Sequence, residues 1–180
     1  GHDELEYDEH IWTSPKNALK MLDAALNAVC AIDPARAEAY RGNAAEYESE
    51  IEDIDARLTE IVNNGARNEL IFADRFPFLY LAHDYGISYK AAFNSCTAES
   101  EPSAQKMVEL IQAIEKDHIP AIYTIEMSNG AIARTLADET GVEILNMHSM
   151  QTVTQQEFDA GETYLTLMRK NLDAIERGLN

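Results

Sequence analysis

Two histidines in distant parts of the chain have the surroundings of metal-ion ligands. His10 comes just before a predicted helix, and His148 comes just after a predicted strand, where a side chain can point into a cleft. A neutral imidazole binds Zn²⁺ or Mn²⁺ through one nitrogen while a carboxylate or carbonyl holds the other N–H, and Asp8 or Glu9 could hold that of His10. A lone histidine is more often a surface residue, or a residue whose hydrogen bonds are satisfied within the protein, than a metal ligand. Both the ligand and the non-ligand interpretation therefore stay open.

Two long helices are predicted in the first third of the chain. Thr13 or Ser14 supplies a cap and Pro15 a first turn, after which apolar residues recur at helical spacing until Pro34 stops the run. A second helix is predicted from residue 35 to about residue 64. About 30 residues at 1.5 Å each give a rod of roughly 45 Å, which is too long for the core of one small lobe.

The remainder of the chain alternates short apolar runs with helical patterns. Continuous apolar strands separated by helices predict an α/β fold, with a four-stranded parallel sheet covered by helices on both faces. The predicted strands lie at 70–73, 89–93, 121–125 and 142–145. The predicted helices lie at 76–85, 103–117, 129–140 and 156–178.

Polar residues follow each predicted strand. Ligands of open parallel sheets bind beyond the carboxyl ends of the strands, so these residues form the candidate binding rim. They are Asp74, residues 94–99, Glu126 and His148. Asp74 has a second interpretation, as the cap of a helix that begins near residue 75, and we favour the cap over the ligand.

The composition argues against several classes of function. Thirty-two acidic residues against 14 basic ones give a net charge of −18, which argues against binding to nucleic acid or to an anionic membrane. The charge favours cations, although much of it falls in the second helix and is more simply the solvated face of that helix. The motifs G-x-S-x-G, H-E-x-x-H and C-x-x-C do not occur, so we expect no enzyme. The least favoured hypothesis for the function is a hydrolase that uses Asp74, Glu126 and His148.

Three separated motifs give the chain a family resemblance. The pattern D-x-H-x-W-x-S-P-x-N covers residues 8–17, E-P-S covers 101–103, and G-x-x-Y-x-x-x-M-x-x-N-L covers 161–172. In this order they resemble the zinc- and manganese-uptake solute-binding proteins of bacterial ABC transporters. The resemblance implies a receptor that captures Zn²⁺, or alternatively Mn²⁺, between two lobes outside the cytoplasm and delivers the ion to an ABC permease.

The resemblance also implies a domain organisation. Relatives carry a signal peptide, often a lipid-attachment cysteine, and a whole amino-terminal lobe ahead of the D-x-H-x-W segment, so we interpret the chain as a fragment. Residues 1–34 would be a remnant of the first lobe, 35–64 the helix that links the lobes, and 65–180 the second lobe. Membrane attachment would depend on an anchor absent from this chain, and the fragment could form a swapped dimer. We expect it to bind metal weakly, because relatives contribute a further histidine from the first lobe.

Within the resemblance, the predicted metal ligands are His10, His148, Asp74 and Glu126. His10 occupies the ligand histidine of D-x-H-x-W, and His148 replaces an aspartate of the relatives, which favours zinc because imidazole is the softer donor. Ala73 stands where relatives carry another ligand, so Asp74, a rim residue such as Glu126, or water or hydroxide would supply the missing donor. Ala73 and the arginine two residues later favour the alternative function, a metal-independent acidic interaction or adhesion domain.

Overall fold

The computed structural model describes residues 7–93 and 102–180. Its helices are α1 (Pro15–Ile32), α2 (Ala37–Asn64), α3 (Leu79–Tyr85), α4 (Ala104–Lys116), α5 (Ala131–Thr140), α6 (Gln155–Asp159) and α7 (Tyr164–Leu179). Its strands are β1 (Glu69–Phe72), β2 (Ser88–Ala91), β3 (Ala121–Thr124) and β4 (Glu143–Asn146). Short 3₁₀ turns at Ile11–Thr13 and Pro34–Arg36 precede α1 and α2.

The four strands form one parallel sheet in the order β2-β1-β3-β4. Side chains alternate between its faces, so that β1 sends Leu70 and Phe72 to one core and Ile71 to the other. The first core is completed by α2, α3 and α7, and the second by α4 and α5. The predicted α/β fold, with helices on both faces of a parallel sheet, is therefore confirmed.

The strand order determines which residues of the candidate rim lie beside the crevice of the sheet. The chain moves outward from β1 to β2 and then crosses back to β3, so the order of the strands reverses between β1 and β3. Open parallel sheets bind ligands in the crevice at such a reversal, beyond the carboxyl ends of the strands. Asp74 follows β1 and Glu126 follows β3, which puts these two predicted residues after the strands that flank the crevice.

The two halves of α2 have different environments. Its 28 residues give a rod of about 42 Å. The buried residues Ile51, Ile54, Leu58 and Ile61 all lie in its second half, where α2 packs on the sheet and on α7. The first half packs beside α1, in which only Pro15 and Ala18 are buried. No helix in residues 7–93 and 102–180 is long and apolar enough to cross a membrane.

Three local predictions require correction. Ser14 is the residue before α1, but its hydroxyl donates to Asp84 (2.5 Å) rather than capping the helix. The helix predicted from residue 76 begins at Leu79, since Pro77 disfavours helical geometry in the residue before it. The helix predicted at 156–178 is two helices, because Gly161 adopts a left-handed conformation (φ 74°) between them.

Candidate metal site

Long-range hydrogen bonds tie the segment 7–14 to α3, to α7 and to the loop after β4. Tyr80 donates from its hydroxyl to the carbonyl of Asp8 (2.9 Å), and Tyr164 donates to the carbonyl of Trp12 (2.9 Å). The indole N–H of Trp12 donates to the carbonyl of Ser149 (2.8 Å) in the loop after β4. These contacts bring the histidine motif of the amino-terminal segment against the loop that carries the second predicted histidine.

His10 is held in one orientation by Asp8. The Oδ1 atom of Asp8 accepts from the backbone N–H of His10 (2.8 Å) and lies 3.1 Å from Nδ1 of the ring. A carboxylate can only accept, so the proton of a neutral His10 ring is on Nδ1 and the lone pair is on Nε2. His10 is 3% exposed, and its Nε2 faces Oε1 of Gln151 across 3.4 Å. Asp8, rather than Glu9, is therefore the partner that orients the ring.

The backbone of His148 is held by Asn171 of α7. Asn171 accepts from the His148 N–H (2.7 Å) and donates to the His148 carbonyl (2.8 Å). Both side chains are buried, at 1% exposed for Asn171 and 4% for His148. This exchange of two hydrogen bonds fixes the start of the loop after β4.

The ring of His148 has the opposite protonation pattern to that of His10. Its Nδ1 accepts from the backbone N–H of Met150 (2.9 Å), so a neutral ring carries its proton on Nε2. This Nε2 is buried and has no hydrogen-bond partner in the part of the chain that the structure describes. Oε1 of the Glu157 carboxylate lies 3.4 Å from this Nε2. If His148 bound a metal through Nε2, the proton of the neutral ring would move to Nδ1. Nδ1 could then no longer accept the hydrogen bond from Met150.

The predicted carboxylates already have internal partners. Glu126 accepts from the backbone N–H of Ser149 (2.8 Å) and from its hydroxyl, and its Oε2 lies 4.0 Å from Nδ1 of His148. Asp74 is 8% exposed and accepts from the backbone N–H of Arg75 (2.9 Å). The cap interpretation of Asp74 is wrong, because α3 begins five residues after it.

The four predicted ligands are not assembled into one cluster. Glu126 approaches His148, while His10 faces the same loop through Gln151. Over residues 7–93 and 102–180, no group of three or more His, Cys, Asp or Glu side chains is placed to hold a metal. The predicted rim at 94–99 lies outside the described residues, so the structure does not test it.

Sequence reasoning missed several residues of this region. Gln151, Ser149 and Asn171 each contact a predicted ligand or its neighbour, and Glu157 of α6 lies beside His148. The pKa of Glu157 is lowered, chiefly by the hydrogen bonds it accepts from the backbone and side chain of Thr154. The only signal in the sequence was that the asparagine of α7 belongs to the third motif and that Gln151 follows His148 closely.

The chain thus has an open parallel α/β sheet with a histidine segment beside the carboxyl end of β4, and open sheets of this class bind ligands beyond the carboxyl ends of their strands. The chain belongs to the family of the zinc-uptake complex component A, periplasmic (ZnuA), which matches residues 1–178. It is 32% identical over 172 residues to the zinc-binding lipoprotein AdcA of Streptococcus pneumoniae strain R6. It is 28% identical over 172 residues to the high-affinity zinc uptake system protein ZnuA of Bacillus subtilis strain 168. Each match covers 96% of this chain.

A solved structure extends the likeness to three dimensions. The Zn(II)-bound ZnuA-like domain of Streptococcus pneumoniae AdcA matches with a TM-score of 0.81 and 30% identity, covering 98% of this chain and 66% of that chain. This chain spans 34% of the length of the pneumococcal AdcA and 53% of that of the Bacillus ZnuA. These comparisons confirm the family resemblance and do not favour the metal-independent alternative. The family is named for zinc uptake rather than for a catalytic activity.

Proposed function

We propose that the chain is the zinc-binding part of an extracytoplasmic solute-binding receptor that delivers Zn²⁺ to an ABC permease. Two relatives are named for zinc binding or zinc uptake, one of them as a lipoprotein, and the matching solved domain is Zn(II)-bound. The family name places its members in the periplasm. Manganese is the alternative ion, and the net charge of −18 suits a receptor for a cation.

The single observation that carries the proposal is the pair of His10 and Asp8. Nδ1 is held by a carboxylate at 3.1 Å and Nε2 presents a lone pair on a nearly buried ring. A carboxylate that holds the far nitrogen of an imidazole fixes its orientation and raises its basicity as a ligand. Histidines that bind zinc almost always donate their other ring N–H to a carboxylate, a backbone carbonyl or water, and Asp8 supplies the carboxylate here.

The other predicted ligands remain part of the proposal. His148, Glu126 and Asp74 lie after β4, β3 and β1, around one end of the sheet. His148 can bind an ion only by releasing the N–H of Met150, whereas the carboxylates of Glu126 and Asp74 keep free lone pairs beside the hydrogen bonds that they accept. Ala73 is buried and contributes no donor atom beyond its backbone. We therefore expect weak binding by this chain alone. The division at residues 34 and 64, with α2 linking two lobes, belongs to the same proposal.

Calorimetric titration of Zn²⁺ and Mn²⁺ into the chain tests this function. We expect His10→Ala to weaken zinc binding by at least about tenfold, and Asp8→Asn to weaken it by about tenfold through loss of the orienting carboxylate. His118→Asn is the matched control, because His118 is exposed, lies in the turn after α4, and has a positive φ that asparagine tolerates. Equal zinc affinity in the wild-type and His10→Ala chains would contradict the proposal.

A further inference from the structure

Nε2 of His10 and the side-chain oxygen of Gln151 face each other, and both are electron-pair donors. Asp8 accepts a hydrogen bond from Nδ1–H, so Nε2 of a neutral His10 carries a lone pair. The atom opposite this Nε2, at 3.4 Å, is the carbonyl oxygen of the Gln151 side chain. Two lone pairs at this separation repel each other unless a cation lies between them. The alternative is that the amide is rotated to donate from its nitrogen, since the oxygen and nitrogen of an amide are interchangeable in shape.

The separation fits two ligands of one ion. Zinc binds imidazole nitrogen and oxygen donors at about 2.0–2.2 Å, and a tetrahedral angle between two such bonds places the donor atoms about 3.4 Å apart. The observed distance from His10 Nε2 to Gln151 Oε1 is 3.4 Å. A direct hydrogen bond between a ring nitrogen and an amide would be shorter, at about 2.9–3.0 Å.

The loop after β4 is built so as to direct Gln151 toward His10. Met150 has a left-handed backbone (φ 62°), and its N–H is held by Nδ1 of His148 (2.9 Å). The N–H of Gln151 donates to the hydroxyl of Ser149 (3.2 Å), which itself donates to Glu126. A positive φ in methionine is unfavourable, so these hydrogen bonds hold a turn that the residue would not adopt alone.

We propose that Gln151 is a metal ligand, whose side-chain oxygen coordinates the same ion as Nε2 of His10. The inference rests on the proposed function, because it requires His10 to bind the ion. In this arrangement the hydrogen bonds of His148 and Glu126 shape the loop that presents Gln151. Gln151 is exposed, so its side chain forms the open side of the site through which an ion can enter. Both donors are neutral, which makes the site weaker than one with a carboxylate.

Substitution at Gln151 tests the inference by zinc titration of the 180-residue chain. Gln151→Leu keeps the size of the side chain and removes the oxygen, and we expect at least about tenfold weaker zinc binding. Gln151→Glu replaces a neutral oxygen with a charged one at the same position, and we expect at least about tenfold tighter binding. Gln155→Leu is the matched control, because Gln155 is exposed and its side chain donates to Asp159 within α6.

A second readout follows the amide itself. In ¹⁵N-labelled protein, the side-chain NH₂ signals of Gln151 are assigned by their absence in Gln151→Leu. Coordination through the oxygen polarises the amide, so zinc should shift these signals in the wild-type chain and leave them in place in His10→Ala.

The outcomes separate the inference from the proposed function. If His10→Ala loses zinc while Gln151→Leu retains wild-type affinity and the Gln151 amide signals do not move, then Gln151 is no ligand and the receptor proposal stands. If His10→Ala binds zinc as tightly as the wild-type chain, or if the wild-type chain binds none, both are overturned. Weaker binding by Gln151→Leu together with shifted amide signals supports the ligand role.

Discussion

Asn171 exchanges two hydrogen bonds with the backbone of His148, accepting at 2.7 Å and donating at 2.8 Å, although 23 residues separate them. Both residues are almost completely buried, so neither backbone group of His148 has water as a substitute partner. The last helix of the chain thereby determines the position of the loop whose later residues face His10.

Replacing Asn171 should destabilise the protein. Asn171→Ala leaves a buried N–H and a buried carbonyl without partners, and we expect a loss of about 2–4 kcal/mol in the free energy of unfolding, measured by urea denaturation. Asn27→Ala on exposed α1 is the control and should change stability by less than about 0.5 kcal/mol. A loss below about 1 kcal/mol for Asn171→Ala would mean that the loop finds other partners.

Gly178 of α7 is required because Tyr123 of β3 lies against it. A Cβ atom at Gly178 would lie 1.7 Å from the Tyr123 hydroxyl oxygen, whereas one at Gly42 of α2 would meet nothing within 4 Å. We expect Gly178→Ala to cost about 3 kcal/mol through overpacking and Gly42→Ala to stabilise by about 0.5–1 kcal/mol through helix propensity. Thermal unfolding of the two variants checks the opposite signs. Tyr123→Phe should partly rescue Gly178→Ala, since it removes the closest atom.

The hydrogen bond from Ser14 to Asp84 should make stability depend on pH. Burial raises the pKa of Asp84, but the hydrogen bonds from Ser14 and His83 and the nearby positive charges outweigh it, so the folded pKa lies below its ordinary value of 3.8. A lowered folded pKa stabilises the protein above pH 3.8, and this stability is lost as the pH falls through the folded pKa. Ser14→Ala should therefore cost about 1–2 kcal/mol near pH 6 and progressively less below about pH 4, by urea unfolding.

The control for this pH dependence is Asp84→Asn. In that background the effect of Ser14→Ala should be the same at every pH, because residue 84 no longer ionises. A pH-independent effect of Ser14→Ala in the wild-type background would contradict the assignment.

The one tryptophan of the chain should report metal binding directly. Trp12 lies next to His10, with ring centroids 5.6 Å apart, and its indole N–H donates to the carbonyl of Ser149. An ion bound at His10 should change the intensity or wavelength of Trp12 emission, and His10→Ala should abolish the zinc-dependent change. The His118→Asn chain should respond like the wild type. Zinc binding by calorimetry without any change in emission would place the ion away from His10.

Much of the fold follows from local patterns. The predicted strands agree with β1 to β4 to within two residues. The inner strands β1 and β3 are almost entirely buried, as continuous apolar runs predict for a parallel sheet, whereas the edge strands β2 and β4 are largely exposed. Pro15 and Pro34 bracket α1 as predicted, since proline limits where a helix can begin and continue. The break at Gly161 was missed because apolar residues keep a helical spacing on both sides of it, and the left-handed turn appears only in the backbone.

The motif around His10 predicts a metal ligand at this position, which stays a prediction, and Asp8, one of its two predicted partners, is the residue that holds the ring. Three features were seen only in the folded chain: the Met150 N–H contact that places the proton of His148, the start of α3 five residues after Asp74, and the approach of Gln151 to His10. Of these, the approach of Gln151 to His10 joins residues 141 positions apart. A local pattern records the propensity of a short segment, whereas contacts at that separation exist only after the sheet and its helices have packed. Packing therefore decided that Gln151 faces His10, while residues two positions away orient the rings of His10 and His148.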